Sequence, residues 1–239
     1  MGKWSFSERF SRGGVAAGVD EAGSGSLIGD IYAAAVVWDK RQKRIMGVDD
    51  SKALDPEVRE KLYKLIVKRC KEYALGIATL EEVLKYKAYK ASSIARLRAV
   101  KNLKTKPDVV LVDGFPMPEI EKEGIKSFGI VKGDTLCAEI MMASIIAKVE
   151  RDKKILELDR EYPQYNWKSN KGYYCPEHII SIVKFGASPY HRVHLPTVKN
   201  ALKLRKILKE NGLFEKFQQI KSYKEAKKFL KEHHLWGRR

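Results

Sequence analysis

Four acidic residues follow apolar runs or open a helix in the predicted structure, and such positions suit the binding of divalent metal ions. They are Asp20, Glu21, Asp113 and Asp134. Asp20 and Glu21 are adjacent, and two like charges in a buried site resist ionising together. Mg²⁺ and Mn²⁺ bind carboxylate oxygens, offset that repulsion and assist phosphodiester hydrolysis. An isolated Asp-Glu pair is usually an exposed turn, but the apolar run 15–19 and the glycines after the pair favour a buried site.

Asp152 competes with Asp134 for a place in this metal site. One continuous helix over 135–162 would separate the two acids by about 27 Å, at roughly 1.5 Å per residue, so both cannot bind one metal centre. If strands 109–112 and 125–131 are parallel, Asp113 and Asp134 lie at the same carboxyl edge of the sheet, which favours Asp134. Asp152 is interpreted as a solvated helix charge or a structural ion pair.

The glycines after the acid pair do not fit a dinucleotide-binding loop. Gly23, Gly25 and Gly29 give G-x-G-x-x-x-G, one residue longer than that motif, and the run 31–38 favours a strand over a helix. The two acids would also repel a pyrophosphate. A nucleotide cofactor is therefore excluded, whereas glycines that let backbone amides approach a polymer or phosphate remain plausible.

The charge balance favours a polyanionic partner. Among 239 residues, 47 Lys and Arg outnumber 30 Asp and Glu, for a net charge of +17. Ribosome-associated and membrane-surface proteins are also basic.

However, no apolar run approaches the roughly 20 residues of a membrane span, and residues 1–5 do not open a signal peptide. Three separated cysteines predict reduced thiols, so we expect a cytoplasmic protein without a membrane partner.

The tail carries about half of the charge excess. Residues 197–239 contain 13 Lys and Arg against 4 Glu, a net of +9. Two helices are predicted here, the second opened by the capping-box pair Ser222 and Glu225, with an apolar face made by Ala226, Phe229 and Leu230. Its basic face is either a solvated helix surface or an accessory nucleic-acid grip, and the total charge favours the grip.

The pattern of apolar runs predicts an α/β protein. Successive antiparallel hairpins are expected near the N-terminus. Strands are predicted from Val15 and at 31–38, 45–48, 73–79, 109–112 and 125–131. Helices are predicted from Asp55-Pro56 and at 81–103, 135–162 and 176–185.

At the acidic residues the chain resembles ribonuclease HII, of the ribonuclease H-like superfamily. The resemblance spans roughly residues 15–195 in collinear order. It implies a mixed sheet flanked by helices, so we expect a catalytic domain at 1–195, followed by the basic helical extension at 196–239. The matching segments are Gly18–Gly23, Asp50-Ser51-Lys52, Val112-Asp113-Gly114, Lys132-Gly133-Asp134, Ala143–Asp152, Lys171-Gly172-Tyr173, His178, Gly186 and His191-Arg192.

The resemblance implies an endonuclease that cuts the RNA strand of RNA–DNA hybrids, and we expect a monomer. It also implies incision of duplex DNA at an embedded ribonucleotide, on its 5′ side, leaving a 3′-hydroxyl. The four acids would hold two Mg²⁺ or Mn²⁺ ions, one activating a water and the other stabilising the leaving 3′-oxyanion.

The resemblance also assigns substrate contacts. Tyr173 would stack on the sugar one step past the ribonucleotide, and the loop of Gly23, Ser24 and Gly25 would meet the 2′-hydroxyl through its backbone. Lys52 and Arg192 would contact phosphate or support the structure. Lys148 is interpreted mainly as structural.

Several positions depart from the family pattern. Ser24 replaces the usual Arg or Lys between the loop glycines, so a cationic contact is lost. Ser26 and Asp30 stand where Pro is usual, Thr135-Leu136 replaces Ser-Lys, and Asn170 replaces a His. Asp30 would add an acid near the site. We expect retained catalysis with altered substrate preference.

Two rival functions stay open at this point. A non-catalytic RNA-binding or ribosome-associated protein would explain the charge and the tail but not the four acids. A different nuclease or integrase of the same superfamily would explain the acids. The segment 171–173 and the glycine loop argue against the second rival.

Overall fold

The computed structural model describes residues 4, 6–39, 41–48 and 54–235, and the chain forms two compact units. The first, called the sheet unit, comprises Met1–Ser24 and Asp30–Lys153, and the second, called the helical unit, comprises Gly25–Gly29 and Lys154–Arg239. The functional boundary predicted between residues 195 and 196 stays a prediction. No helix among the described residues combines the length and apolar character needed to cross a bilayer.

The sheet unit contains a mixed sheet, as predicted, and this sheet has five strands among the described residues. Its strands in spatial order are β3, β2, β1, β4 and β5, with β2 antiparallel to both neighbours and β4 parallel to both of its own. The strands are β1 Ala16–Ala22, β2 Ile31–Val37, β3 Glu72–Ala78, β4 Val109–Asp113 and β5 Lys126–Ile130. The parallel pairing of β4 and β5 confirms the arrangement expected for Asp113 and the chain that leads to Asp134.

Helices cover both faces of this sheet. The helices are α1 Glu8–Ser11, α2 Pro56–Arg69, α3 Leu80–Lys101, α4 Pro118–Glu121, α5 Gly133–Leu136 and α6 Ala138–Glu161. One face packs on the small stripe of Ala91, Ala95 and Ala99 in α3, and part of the other packs on α2 and α6. Small side chains at both contacts let the helices lie close to the strands. Asp55 caps α2 as predicted, its Oδ1 accepting from the Glu57 amide at 2.9 Å.

Two predicted elements of the sheet unit were wrong. Residues 45–48 form a turn and not a strand, because Gly47 has a positive φ of 78° that breaks an extended run, although Ile45 is buried. The single helix predicted over 135–162 is two helices, α5 and α6, separated by Cys137 in an extended conformation. In addition, α3 is interrupted at Lys87, which has a φ of 67°.

The helical unit packs short helices around an aromatic and aliphatic core. After a 3-10 turn at Pro163–Tyr165 come α7 Trp167–Asn170, α8 Pro176–Phe185, α9 Pro196–Glu210, α10 Phe214–Gln218 and α11 Tyr223–Glu232. The tail therefore has three helices within its described residues, up to residue 235, where two were predicted, because the short α10 inserts Phe214 and Phe217 into the core. Ser222 caps α11 as predicted, and Ala226 and Leu230 are buried.

Candidate active site

The alternation of side chains along β1 sends Asp20 and Glu21 to opposite faces of the sheet. Successive side chains of a strand point to opposite faces. On one face Asp20 meets α6, where the Ser144 hydroxyl hydrogen-bonds to its carboxylate. On the other face Glu21 meets α3, where Arg96 Nε donates to Glu21 Oε2 at 2.6 Å. The adjacent acids therefore share the end of β1 but have different partners.

Asp113 comes to the same edge through the register of the parallel strands. The pairing of β1 with β4 continues to Val19 and Val112, so Asp20 and Asp113 are the next residues on each strand. Asp113 Oδ1 accepts from the backbone N–H of Gly133 at 2.8 Å and of Asp134 at 3.4 Å. Asp134 lies in α5 and is buried. Three chain segments thus bring the four predicted acids to one edge of the sheet.

The electrostatics of this edge disfavour the ionised form of Asp20. Its side chain is buried, and burial is the main cause that raises the pKa of Asp20 to about 8. The negative charges of Glu21 and Asp113 raise the pKa further, while the Ser144 hydrogen bond and the Arg96 charge oppose the rise. The acid cluster is therefore short of positive charge.

The donor set fits a hard divalent cation, although the side chains are engaged elsewhere. All four candidate ligands are carboxylates, the type that Mg²⁺ and Mn²⁺ prefer. Within the described part of the chain, no three His, Cys, Asp or Glu side chains are arranged as a ready metal site. Glu21 is paired with Arg96, and Asp113 accepts from two backbone amides.

The structure leaves no room for a side chain at Gly23. Its φ is +94°, and a Cβ there would lie 2.6 Å from Arg151 Nε. Arg151 is fully buried, and its Nη1 lies 3.2 Å from Asp152 Oδ1, which also accepts from Lys148 Nζ at 2.9 Å. These contacts confirm the ion-pair interpretation of Asp152 and the structural interpretation of Lys148.

A cleft of about 510 Å³ lies beside the acids in the sheet unit, and Glu21, Asp113 and Ser24 line part of it. Two aromatic side chains on its wall are exposed, Tyr89 by 81% and Phe115 by 74%. Exposed aromatic rings beside a polar edge are suitable surfaces for a sugar or base. The cleft thus adds two residues to those that the sequence suggested.

In the helical unit, two departures from the family pattern shape the turn before Tyr173. Gly172 has a φ of +74°, and its N–H donates to Asn170 Oδ1 at 2.8 Å. The Ser26 hydroxyl donates to the Gly172 carbonyl at 3.0 Å. Tyr173 itself is half-buried, and its N–H donates to the Asn170 carbonyl at 2.9 Å. Ser26 and Asn170 therefore position the backbone that carries Tyr173.

Arg192 fixes the segment that follows the glycine loop. Its guanidinium is 1% exposed and donates to the carbonyls of Gly29 and Ser26 at 2.9 to 3.0 Å. These bonds show a structural role, and direct contact with a substrate stays a prediction. Gly25 is exposed. Lys52 lies outside the described residues.

Other departures make local bonds in the sheet unit. Asp30, expected to add an acid near the site, has its Oδ1 accepting from the Leu80 N–H at 2.7 Å, at the start of α3. Thr135 Oγ1 donates to the Lys132 carbonyl at 2.9 Å. Both contacts support the backbone near the acids.

Comparison with known proteins places the chain in a family. The family model described as Ribonuclease HII matches residues 17–198. Ribonuclease HII of Wolbachia sp. subsp. Drosophila simulans (strain wRi) is 42% identical over 189 residues, covering 79% of this chain and 93% of the relative. That of Caldicellulosiruptor bescii is 42% identical over 187 residues, covering 78% and 88%. The chain belongs to the ribonuclease HII family.

Solved structures agree with this assignment and confirm the fold. Ribonuclease H2 from Pyrococcus horikoshii has a TM-score of 0.66 at 26% identity and covers 80% of this chain and 99% of its own. Ribonuclease HII in a PCNA complex from Archaeoglobus fulgidus has a TM-score of 0.64 at 26% identity, with 78% and 96% covered. This ribonuclease HII family member is thus a type 2 ribonuclease H, a phosphodiester hydrolase.

His191 of this family member belongs to the core of the helical unit. His191 is buried, and its Nδ1 accepts from the Ser188 N–H at 2.9 Å. Burial and the neighbouring His178 lower the pKa of His191 to about 3. Trp167 is also fully buried, and its Nε1 donates to His178 Nε2 at 3.0 Å. His191 and Trp167 are therefore packed in the core.

Sequence reasoning missed three residues of the site, Arg96, Tyr89 and Phe115. A weak signal existed for the first, because Arg96 follows Ala95 on a helix whose small stripe faces the sheet. For Phe115, the signal is its place directly after Asp113-Gly114. Tyr89 follows the interruption of α3 at Lys87, which no sequence pattern announces.

Proposed function

We propose that this ribonuclease HII family member hydrolyses the RNA strand of RNA–DNA hybrids and incises duplex DNA at embedded ribonucleotides. Cleavage falls on the 5′ side of the ribonucleotide and leaves a 3′-hydroxyl. The observation that carries the proposal is the buried Asp20 beside Glu21 and Asp113 at the carboxyl edge of the parallel strands. A polyanion binds next to such acids only if cations intervene, and the net charge of +17 supplies the long-range attraction.

Asp20, Glu21, Asp113 and Asp134 are the proposed ligands of Mg²⁺ or Mn²⁺, with two ions when substrate is bound. Such ions, when bound, supply an activated water and neutralise the charge of the leaving oxygen. The chain's own groups prepare this edge. Ser144 favours the ionised form of Asp20 through its hydrogen bond, and the amides of Gly133 and Asp134 hold the Asp113 carboxylate in place.

Substrate recognition is proposed for the glycine loop and Tyr173. The backbone of Gly23, Ser24 and Gly25 contacts the 2′-hydroxyl, which distinguishes RNA from DNA. Tyr173 stacks on the neighbouring sugar from a turn that Asn170 holds. Ser24 offers no positive charge, so the preference between long hybrids and single ribonucleotides differs from that of relatives with Arg or Lys there.

The test compares two duplexes, one with a single ribonucleotide in DNA and one a full RNA–DNA hybrid, with Mg²⁺ or Mn²⁺ and mapped ends. We expect 3′-hydroxyl products with the cut 5′ of the ribonucleotide. Asp113→Asn should abolish cleavage while the protein still binds hybrid. Glu121→Gln, an equivalent change at an exposed acid of α4, should cut normally. A wild-type protein that binds but cuts neither duplex would support a non-catalytic RNA-binding protein.

A further inference from the structure

We propose that Arg96 is a positioning residue that holds Glu21 in the metal-free enzyme and sets how tightly the acid cluster binds a divalent cation. The inference rests on the proposed function, because it needs the cation at the four acids. It goes beyond that function by naming a competitor for one of the ligands.

The contact between Arg96 and Glu21 is close and sheltered. Arg96 Nε donates to Glu21 Oε2 at 2.6 Å, and Arg96 Nη2 forms an ion pair with the same oxygen. The two side chains are only 16% and 13% exposed. Water screens a sheltered pair less than an exposed pair, so Glu21 is held more firmly than in an ordinary surface ion pair.

The fold explains why Arg96 meets this acid. Glu21 faces α3 because it alternates with Asp20 along β1, and α3 lies close through Ala91, Ala95 and Ala99. Arg96 stands beside that stripe, level with the end of β1. A cation that takes Glu21 as a ligand must displace the guanidinium, and the positive charge of Arg96 also opposes a second cation nearby.

Displacement leaves Arg96 on the wall of the cleft beside the acids, among Ser92, Ser93 and Tyr89. A guanidinium there is a suitable partner for a phosphate, since Arg binds phosphate oxygens through its fork of N–H donors. Arg96 therefore exchanges Glu21 for a substrate phosphate as the cation binds. In the metal-free protein the same residue limits repulsion between Glu21 and Asp20.

Mn²⁺ binding to metal-free protein, measured by electron paramagnetic resonance, tests this exchange. We expect Arg96→Met to tighten the Kd about tenfold, because a competing, sheltered ion pair is lost. The melting temperature without metal should fall, and added Mn²⁺ should restore more of it than in wild type. Arg98→Met is the matched control. It removes the same charge two residues away, where Arg98 pairs with Glu82, and should leave the Kd unchanged.

The outcomes separate this inference from the proposed function. If wild type binds no Mn²⁺, or if Asp113→Asn binds it equally well, the proposed metal site and the role of Arg96 both fail. If wild type binds Mn²⁺ at the acids but Arg96→Met binds it equally or more weakly, only the role of Arg96 is overturned. Arg96→Lys and Arg96→Gln carry the test should Arg96→Met not fold. Gln should tighten binding, and Lys should change it least.

Discussion

The sheet unit and the helical unit bury polar groups in opposite ways. In the helical unit, Trp167 Nε1 donates to His178 Nε2, and His178 Nδ1 donates to the Tyr173 carbonyl at 2.9 Å. His191 Nε2 lies 3.2 Å from His178 Nε2, and its Nδ1 accepts from Ser188. The network stays neutral and every ring nitrogen has a partner. In the sheet unit, Asp20 is buried beside two further acids, and one of these, Glu21, is paired with Arg96.

The difference separates a structural polar cluster from the cluster that we propose binds metal. Both clusters contain groups with shifted pKa values, since burial lowers the pKa of His178 and His191 and raises that of Asp20. A shifted pKa alone therefore does not identify the active site. The helical cluster is complete without a ligand and holds the turn that carries Tyr173. The acid cluster is short of positive charge, and the proposed divalent cation would supply it.

The largest effect is expected from Asp20→Asn, which removes the buried carboxylate that Glu21 and Asp113 repel. Cleavage should fall at least ~1,000-fold, equivalent to roughly 4 kcal/mol of transition-state stabilisation. The metal-free protein should become more stable near pH 8 by on the order of a few kcal/mol, because folding no longer has to protonate, or bury the charge of, a carboxylate that is ionised in the unfolded chain. Cleavage assays and urea unfolding measure the two effects. A variant that is inactive and also less stable than wild type would contradict the claim that buried Asp20 destabilises the metal-free protein.

His178→Ala should have the opposite effect on stability. It leaves the Trp167 N–H, the His191 ring and the Tyr173 carbonyl without their shared partner, so we expect a loss of about 2 to 4 kcal/mol in the free energy of unfolding. Urea unfolding followed by circular dichroism measures it. His234→Ala, at an exposed histidine, should change stability by less than about 0.5 kcal/mol. Equal effects of the two changes would mean that the network adds nothing to the helical unit.

Features that follow from a local sequence pattern could be predicted. Apolar runs that end in acids located Asp20 and Asp113, and Asp55-Pro56 located the start of α2. The short run 45–48 was wrongly predicted as a strand, because its sequence does not reveal that Gly47 adopts a positive φ. Short apolar runs are ambiguous for this reason.

Long-range partners could not be predicted. Arg96 meets Glu21 across 75 residues, and Gly133 meets Asp113 across 20. The second contact accompanies the break between α5 and α6, which a continuous helical pattern hides. Partner choice depends on how closely α3 and α6 approach the sheet, which is a property of the packed unit and not of any motif.

The pH dependence should differ between the units. Because the pKa of Asp20 is raised to about 8, Mn²⁺ must displace a proton, and its affinity should rise about tenfold per pH unit from about pH 6 and level off near pH 8. Without metal, the stability contributed by protonated Asp20 is lost as pH rises from about 4 through about 8. The lowered pKa of His191 has the opposite sign, with stability lost as pH falls from about 6.5 towards about 3. Mn²⁺ titrations at several pH values check this, and Asp20→Asn should abolish the slope.

A smaller effect is expected at the turn that carries Tyr173, the residue that we propose contacts the substrate. Asn170→Ala removes the acceptor for the Gly172 N–H and should loosen Tyr173 without touching the acids. We expect KM for the single-ribonucleotide duplex to rise about three- to tenfold, with kcat nearly unchanged. Asn211→Ala also removes a side-chain bond to backbone, at the end of α9, and should leave KM unchanged. A drop in kcat with constant KM would place the role of Asn170 in the chemical step instead.

The smallest effect is expected from removing positive charge on the basic face of α11, which is not next to the acid cluster in the chain. Lys224 and Lys231 are exposed and seven residues apart, so they lie on one side of the helix, opposite Ala226 and Leu230. If this face grips phosphates, replacing both lysines with Gln should reduce the dependence of log Kobs on log salt by about one to two, roughly 0.9 per phosphate. Affinity for any duplex should weaken only about two- to threefold. The pair Lys61→Gln and Lys68→Gln, equally spaced and exposed on α2, is the control, and an identical change there would assign the effect to net charge instead of the tail.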